Sequence, residues 1–372
     1  MSPKLAMRFC RNSEAGSPNF IRVEQRIIMN ITLTRRLGRM MTHSAKALST
    51  LIISAPLSFA TTTTALPDLN IAAITIGDPS VWTIEYMKEK QIDHKYGFNL
   101  HYTLKPVSVA YSEFVNGTDP VCLCLTIGTA ARFVLQGVDA SLVSTYNNYT
   151  NSYLVTENKD IQKPQDIVGR SVAGSTGSGS WVFQQYILRE HQNIDLTKVS
   201  IPSVVASAQI ASLIAQRVDA ITAFDDTRLK LNASQPGRFR FIPTFDKEKW
   251  ASLTHVPYIP MFFLGVRKSW SENAENHALL VQFEKAYKEA LAEIKADPAK
   301  AAALLGSERL RASSDYMIKT LTTLNDADKV IPATELRPAI SVLAQSLLPA
   351  AGLLDRPLSD AEINGLITSV NP

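Results

Sequence analysis

The chain has 372 residues, 45% of them hydrophobic and 19% charged, with a formal net charge of +4. That length and apolar fraction build one large or two medium globular domains. The mild charge gives no footprint for nucleic acid, and three cysteines are too few for a disulfide scaffold.

Residues 1–60 read as a presequence and signal peptide. Arg35, Arg36, Arg39 and Lys46 precede an apolar run over 47–60, and Ser58, Phe59 and Ala60 supply a small-x-small cleavage site near Ala60, with Ala65 a second candidate. The run is too short to span a bilayer, and four threonines follow it. Met29, Met40 and Met41 are alternative starts to Met1. The neighbours of Arg35 and Arg36 do not support a twin-arginine signal, so Sec export is expected. No cysteine follows the run, so no lipid anchor is expected, and a soluble exported chain of this kind points to a Gram-negative periplasm.

After Pro67 short strands and helices alternate, the pattern of an α/β fold built on mostly parallel sheets. A strand is expected over 70–76, a helix over 81–96 with Ser80 as cap and Gly97 as stop, and a strand over 98–104. A buried apolar strand follows over 121–126, then a helix over 128–136 and a strand over 140–145. Cys122 and Cys124 share one face of the buried strand, where a mutual bridge would be strained, so two buried thiols are expected. Residues 146–153 are polar and aromatic without a period, and read as a crossover.

The segment 163–186 is the most informative. A short strand over 171–173 empties into a Gly/Ser/Thr loop, Ser175, Thr176, Gly177, Ser178 and Gly179, and a helix over 178–191 starts at once. Gly174, Gly177 and Gly179 permit a tight turn that brings bare N–H groups close to a ligand, and the first helical turn leaves its amides unpaired. Together they form an anion-binding cradle; a plain surface turn is the alternative. Ser180 and Trp181 stand where a Walker A loop needs Lys and Ser/Thr, the glycines run G-x-x-G-x-G, and no G-x-S-x-G elbow is present.

Further along, a strand is expected over 198–201, a helix over 207–216, and strands over Ala220–Phe224 and 258–266. Helices alone are expected beyond, with Leu280, Phe283, Tyr287, Ala290 and Ile294 as one apolar stripe. Residues 133–140 and 212–220 echo each other, each a helix end, a tight turn and Val-Asp-Ala.

His94, His101, His191, His255 and His277 fall in no metal-binding spacing, so neither metal nor cofactor is expected, and no Ser-His-Asp set can be assembled. The chain reads as a receptor and not an enzyme. Two further stretches can line a cleft. Ser80 offers a hydroxyl and Trp82 an aromatic wall, unless they are a helix cap and a core residue. Phe224 beside Asp225 suits a ligand with an amine or ring N–H, unless Asp225 or Asp226 caps the next helix. Such loops lie beyond the carboxyl ends of strands, where open α/β sheets bind ligands.

Residues 163–178, Lys-Pro-Gln-Asp-Ile-Val-Gly-Arg-Ser-Val-Ala-Gly-Ser-Thr-Gly-Ser, resemble the "pxDLkGkkvgvpxGS" segment of periplasmic solute-binding proteins of ABC importers, in the taurine, alkanesulfonate, nitrate and thiamine-precursor group. Residues 219–225 resemble their "vDAxxxWE/D" strand, with Phe224 in place of Trp and Asp226 where Pro often stands. Thr126, Ile127, Gly128 and Thr129, followed by 136–140, resemble their "xxGxxpxlxaxxxGxpv" stretch. Residues 283–305 look like their "fxkAyxeAlxxixadPxxaaxll" helix. The first loop, 78–82, lacks the family's usual Gly/Tyr/Pro-rich pattern.

The resemblance covers nearly all of 68–372. It implies a two-lobed type II periplasmic-binding-protein fold, with 66–150 and 258–372 as lobe I and 151–257 as lobe II. It also implies a small organic anion or zwitterion on Thr126–Thr129 and 175–179, with Asp225 at its positive end and Trp82 and Phe224 around its middle. The partners would be an inner-membrane permease and a cytoplasmic ATPase, and the chain a monomer. A pyrimidine or thiamine-precursor-like ligand is the alternative. A pyrimidine-forming enzyme is disfavoured, because Val121–Leu125 does not reproduce the cysteine-rich signature of such relatives.

Overall fold

Short apolar runs bounded by glycine and proline fold into two mixed β-sheets in a computed structural model that describes residues 65–74, 79–306, 308, 312–323 and 329–370. The presequence expected over 1–60 and the expectations for 75–78 lie outside the described residues. The larger sheet holds β1 (Asp68–Ala73), β2 (Asn99–Leu104), β3 (Val121–Leu125), β4 (Ala140–Tyr149), β9 (Ile259–Arg267) and β10 (Ile331–Pro332), in the order β10-β4-β9-β3-β1-β2. The smaller holds β5 (Ser152–Thr156), β6 (Val172–Ala173), β7 (Ala220–Phe224) and β8 (Arg240–Pro243), in the order β6-β7-β5-β8.

Helices cover both. Among them are α1 (Pro79–Glu89), α2 (Ile92–Lys95), α3 (Val107–Asn116), α4 (Ile127–Leu135), α5 (Gly179–Tyr186), α6 (Ala206–Ile214), α7 (Asp225–Ser234) and α8 (Lys247–Thr254), then α9 (Lys268–Ser271), α10 (Ala274–Ala296), α11 (Pro298–Leu305), α12 (Ser314–Thr323) and α13 (Arg337–Val342). None among the described residues is long and apolar enough to cross a membrane. The stripe Leu280, Phe283, Tyr287, Ala290 and Ile294 of α10 is fully buried, with Phe283 edge-on to Phe98 and Tyr287 edge-on to Tyr146.

Several expectations are corrected. Antiparallel pairs outnumber parallel ones, five to three, because β9 returns between β3 and β4 and runs against both. The helix expected over 81–96 breaks at Gln91, whose φ of 53° is left-handed; past the break Asp93 turns inward and its Oδ2 accepts the Leu100 N–H at 2.9 Å. Residues 198–201 make one isolated bridge, Ser171 to Ser200, and Ser203 makes another to Gly174, with Pro202 between them unable to donate to a ladder. The polar stretch after residue 145 is strand on both sides of a two-residue crossover at Thr150 and Asn151. Both faces of β4 and β5 are buried there, so no alternation could show. Beyond β9 the short β10 joins the helices.

Cys122 and Cys124 are joined by a disulfide and are fully buried. The register shift between Leu123 and Leu125 brings their Cα atoms to 5.2 Å, inside the range a bridge spans. The expectation of two free thiols assumed a regular strand, and the irregular one removes its basis.

Two packing details yield tests. Gly265 of β9 lies opposite Cys122 and Leu142, and a Cβ there would enter the Leu125 side chain. Gly265→Val is expected to lower stability by about 1–3 kcal/mol, read as a lower urea midpoint at unchanged slope. His191 sits among the rings of Tyr186, Phe245 and Trp250, stacked on Phe245 at 5.6 Å. Its Nδ1 accepts the Asp246 N–H at 3.1 Å and its Nε2 has no partner. Burial, helped by Lys249 and opposed by Asp246, lowers its pKa from 6.5 to about 4.

Between those values the unfolded chain binds the proton and the folded chain does not. The contribution is therefore complete above pH 6.5 and is lost as pH falls from there toward 4. The drop in urea midpoint between pH 6.5 and 5 should be smaller in His191→Phe than in the wild type; equal drops would remove His191 from the balance.

Candidate functional site

Two helix N-termini meet where the sheets adjoin. Helix α4 follows β3 directly and α5 follows the loop after β6, both at carboxyl ends of strands. Thr126 and Ser178 stand just ahead of the helices in extended conformation, and each caps its own. Thr126 Oγ1 accepts the Thr129 N–H at 3.2 Å and Ser178 Oγ accepts the Trp181 N–H at 3.3 Å. The other first-turn amides have no partner within their helices, and each terminus carries partial positive charge.

The two first turns touch. A Cβ on Gly179 would run into the hydroxyls of Thr126 and Thr129, and one on Gly128 would lie 3.1 Å from Val182 Cγ1. The two threonine hydroxyls are 3.1 Å apart. Tyr111 of α3 adds a third oxygen. Its hydroxyl donates to the Cys124 carbonyl at 3.4 Å. Burial pushes this phenol's pKa up, against the pull of Thr129, the Gly179 amide and Arg132. Amide and hydroxyl donors thus converge without a lysine, the donor set that suits an oxyanion.

Of the residues expected at the site, Thr126, Gly128, Thr129, Ser178 and Gly179 come together here. The Ser175 carbonyl holds the turn, accepting the Ser178 N–H and Oγ–H at 2.8 Å each. Thr176 and Gly177 lie on the exposed side of the loop, where Thr176 pairs with Ser203 at 2.6 Å. Ser80 is the second residue of α1 and not its cap, and its carbonyl accepts the Tyr287 hydroxyl at 3.3 Å. Trp82 is fully buried, edge-on to Tyr316, in an apolar cluster with Phe283 and Tyr287. An aromatic wall for a ligand is corrected to a core residue, because α10 and α12 close over α1.

Phe224 is buried and stacks face to face on Tyr149, with centroids 4.5 Å apart, in one cluster with Ile127 of α4 and with Val182 and Phe183 of α5. Asp225 is engaged by the crossover. Its Oδ2 accepts the N–H groups of Thr150 and Asn151 at 3.1 and 2.9 Å and the Thr150 hydroxyl at 3.0 Å; its Oδ1 accepts the Tyr153 hydroxyl at 3.2 Å. Arg228, one turn on, lies 3.8 Å from the same carboxylate and over the Tyr153 ring. In this arrangement Asp225 fastens the link between the sheets, in place of the expected positive end of a ligand.

Sequence reasoning missed Tyr111, Tyr149, Thr150, Asn151 and Tyr153. Pro106 followed by apolar residues at 107, 110, 111 and 114 marks α3, and is the signal that leads to Tyr111. The other four lay in the stretch whose strand character was hidden by burial on both faces. Among the described residues no group of three His, Cys, Asp or Glu could hold a metal ion.

Because Asp225 is buried and accepts four hydrogen bonds, Asp225→Asn puts an amide where two backbone N–H groups point. It should cost about 1–3 kcal/mol in urea titration. An unchanged midpoint would show that the crossover holds without the carboxylate.

Residues 131–301 match the family model described as NMT1/THI5 like. No curated protein sequence matches the chain. Among solved structures, the chain is similar to the alkanesulfonate-binding protein SsuA from Xanthomonas axonopodis pv. citri bound to MOPS, with TM-score 0.64 and 12% identity over 82% of this chain and 100% of that one. It is similar to the periplasmic aliphatic sulphonate-binding protein SsuA from Escherichia coli, with TM-score 0.62 and 16% identity over 82% and 98%. It is also similar to the periplasmic nitrate-binding protein NrtA from Synechocystis PCC 6803, with TM-score 0.55 and 14% identity over 80% and 84%. The chain has the fold of the periplasmic binding proteins and carries an NMT1/THI5-like domain over residues 131–301.

Proposed function

We propose that this chain is the solute-capturing component of an ABC-type importer, acting in the periplasm as a monomer and handing its ligand to an inner-membrane permease driven by a cytoplasmic ATPase. The two sheets are taken as two lobes, 66–150 with 258–372 and 151–257, hinged at the crossover that Asp225 fastens. The ligand is a small organic anion or zwitterion of the sulfonate class. It is held by Thr126, Gly128 and Thr129 from one lobe and by Ser178 and Gly179 from the other.

One observation carries the reading: the first turn of α4, after β3 of the larger sheet, touches the first turn of α5, after β6 of the smaller, with amide and hydroxyl donors converging. Two helix N-termini can neutralise an oxyanion without a cation. A ligand gripped from both sides favours the closed arrangement, and the population shifts toward it. The reading involves capture and release, with no bond made or broken. A pyrimidine-like heterocycle is the second reading, favoured by the stacked Tyr149 and Phe224 pair beside the hinge.

A thermal-shift screen of the purified protein against sulfonates, nitrate, amino acids and pyrimidines tests both. A ligand at a hundred times its Kd adds about 2.7 kcal/mol to the native state and must raise the melting temperature. Sulfonates are expected to do so in the wild type and to fail in Gly179→Val, whose side chain would occupy the space of Thr126 and Thr129. A response to pyrimidines alone would establish the second reading. Silence toward every anion, or undiminished binding by Gly179→Val, would end the first.

A further inference from the structure

The candidate site lies at carboxyl ends of strands; the opposite end of the larger sheet holds a recess of its own. Strands β1 and β3 run parallel and β9 runs against β3, so the amino ends of β1 and β3 meet the carboxyl end of β9 and the helices that follow it. A recess of about 300 Å³ opens there. Asp68 and Asn70 of β1, His101 of β2, Asp119 just ahead of β3, Trp270 of α9 and Asn276 of α10 are in its wall, and no lysine or arginine is. That volume stands at the lower end of small-molecule sites.

The fold uses these polar groups only in part. Asp68 Oδ1 accepts the Asn99 side-chain amide at 3.1 Å and lies 3.2 Å from His101 Nε2, while Asp68 Oδ2 makes no hydrogen bond to the described residues. Those two contacts, Asn99 first and His101 second, hold its carboxyl below the ordinary carboxylate value, so it is ionised at neutral pH. Asp119 gives Oδ2 to Lys105 and keeps Oδ1. Asn276 donates its Nδ2 to the Trp270 carbonyl at 2.9 Å, which ties α10 to α9, and keeps Oδ1. With the His101 Nε2–H turned to Asp68, Nδ1 is left as an acceptor.

Four acceptors therefore remain, two of them on carboxylates, and an indole stands beside them. Trp82, Trp181 and Trp250 are buried, whereas Trp270 is half-buried, packed by part of its surface on the apolar cluster of Leu280 and Phe283. A surplus of acceptors with negative charge asks for N–H donors on a cation, and an aromatic ring adds attraction for the same ion. A metal ion suits the wall less well, since no three His, Cys, Asp or Glu among the described residues are grouped to hold one.

We propose that this recess is a ligand site separate from the anion site, and that it takes a short aliphatic diamine, with one ammonium on Asp68, the other on Asp119 and the carbon chain along Trp270. It stands whether or not the protein captures sulfonates, because it shares no residue with the junction of α4 and α5.

Calorimetric titration of the whole protein with putrescine, a four-carbon diamine, is expected to show one saturable site per chain. Asp68→Asn should raise its Kd about tenfold, the loss of one charge-assisted hydrogen bond, and Trp270→Leu should raise it about threefold. Asp68 is exposed at the first residue of β1, and a melting temperature within a few degrees of the wild type establishes that each variant is folded. A second measurement needs no variant. Trp270 is the tryptophan open to a water-soluble quencher, so saturating putrescine should protect wild-type emission from acrylamide. Absence of saturable binding would overturn the proposal, as would one Kd shared by Asp68→Asn and the wild type. Equal protection by magnesium chloride at matched charge would also overturn it, by making the recess a general cation sink.

Discussion

The arrangement depends on placing two positively polarised helix ends against one another. A helix N-terminus points bare amides outward, and two of them face to face repel unless an electron-rich group sits between. Here the loops after β3 and β6 are built for that approach. Gly128 and Gly179 remove the side chains that would hold the turns apart, and Thr126 and Ser178 satisfy one amide each while keeping their oxygens at the junction. The same contact that makes close approach possible makes it conditional on oxygen.

The junction is steadied from two sides. Asp225 ties the end of β7 to Thr150 and Asn151, the residues that carry the chain from the larger sheet into the smaller. One apolar cluster, with Phe224, Tyr149, Val182, Phe183 and Ile127 among its members, runs continuously from one sheet to the other. The carboxylate is directional and the cluster is not. Together they fix where the chain bends between the sheets.

The sequence made visible those features whose cause is local. The Gly/Ser/Thr loop before α5 and the helical stripe from Leu280 to Ile294 both follow from spacing and side-chain chemistry within one turn or two. What stayed hidden depended on distant partners. Residues 146–149 look like a loop because their polar groups are paired across the fold, Asn148 with the Lys329 carbonyl and Tyr146 with the buried Glu284. Trp82 looked available because nothing near it in the chain announces that Tyr316 will cover it. Asp225 was legible as a functional carboxylate, but its partners, 72 to 75 positions away, were not.

The placement of β9 has a kinetic side. Strands β3 and β4 are close in the chain yet do not pair; each waits for β9, which arrives only after the whole smaller sheet has been synthesised. Pairings between such distant segments form late, because loop-closure entropy has to be overcome before any contact rewards it. The smaller sheet, contiguous between residues 152 and 243, can assemble first. The larger one keeps a gap between β3 and β4 until β9 has been made, so closing that gap is the later step of assembly.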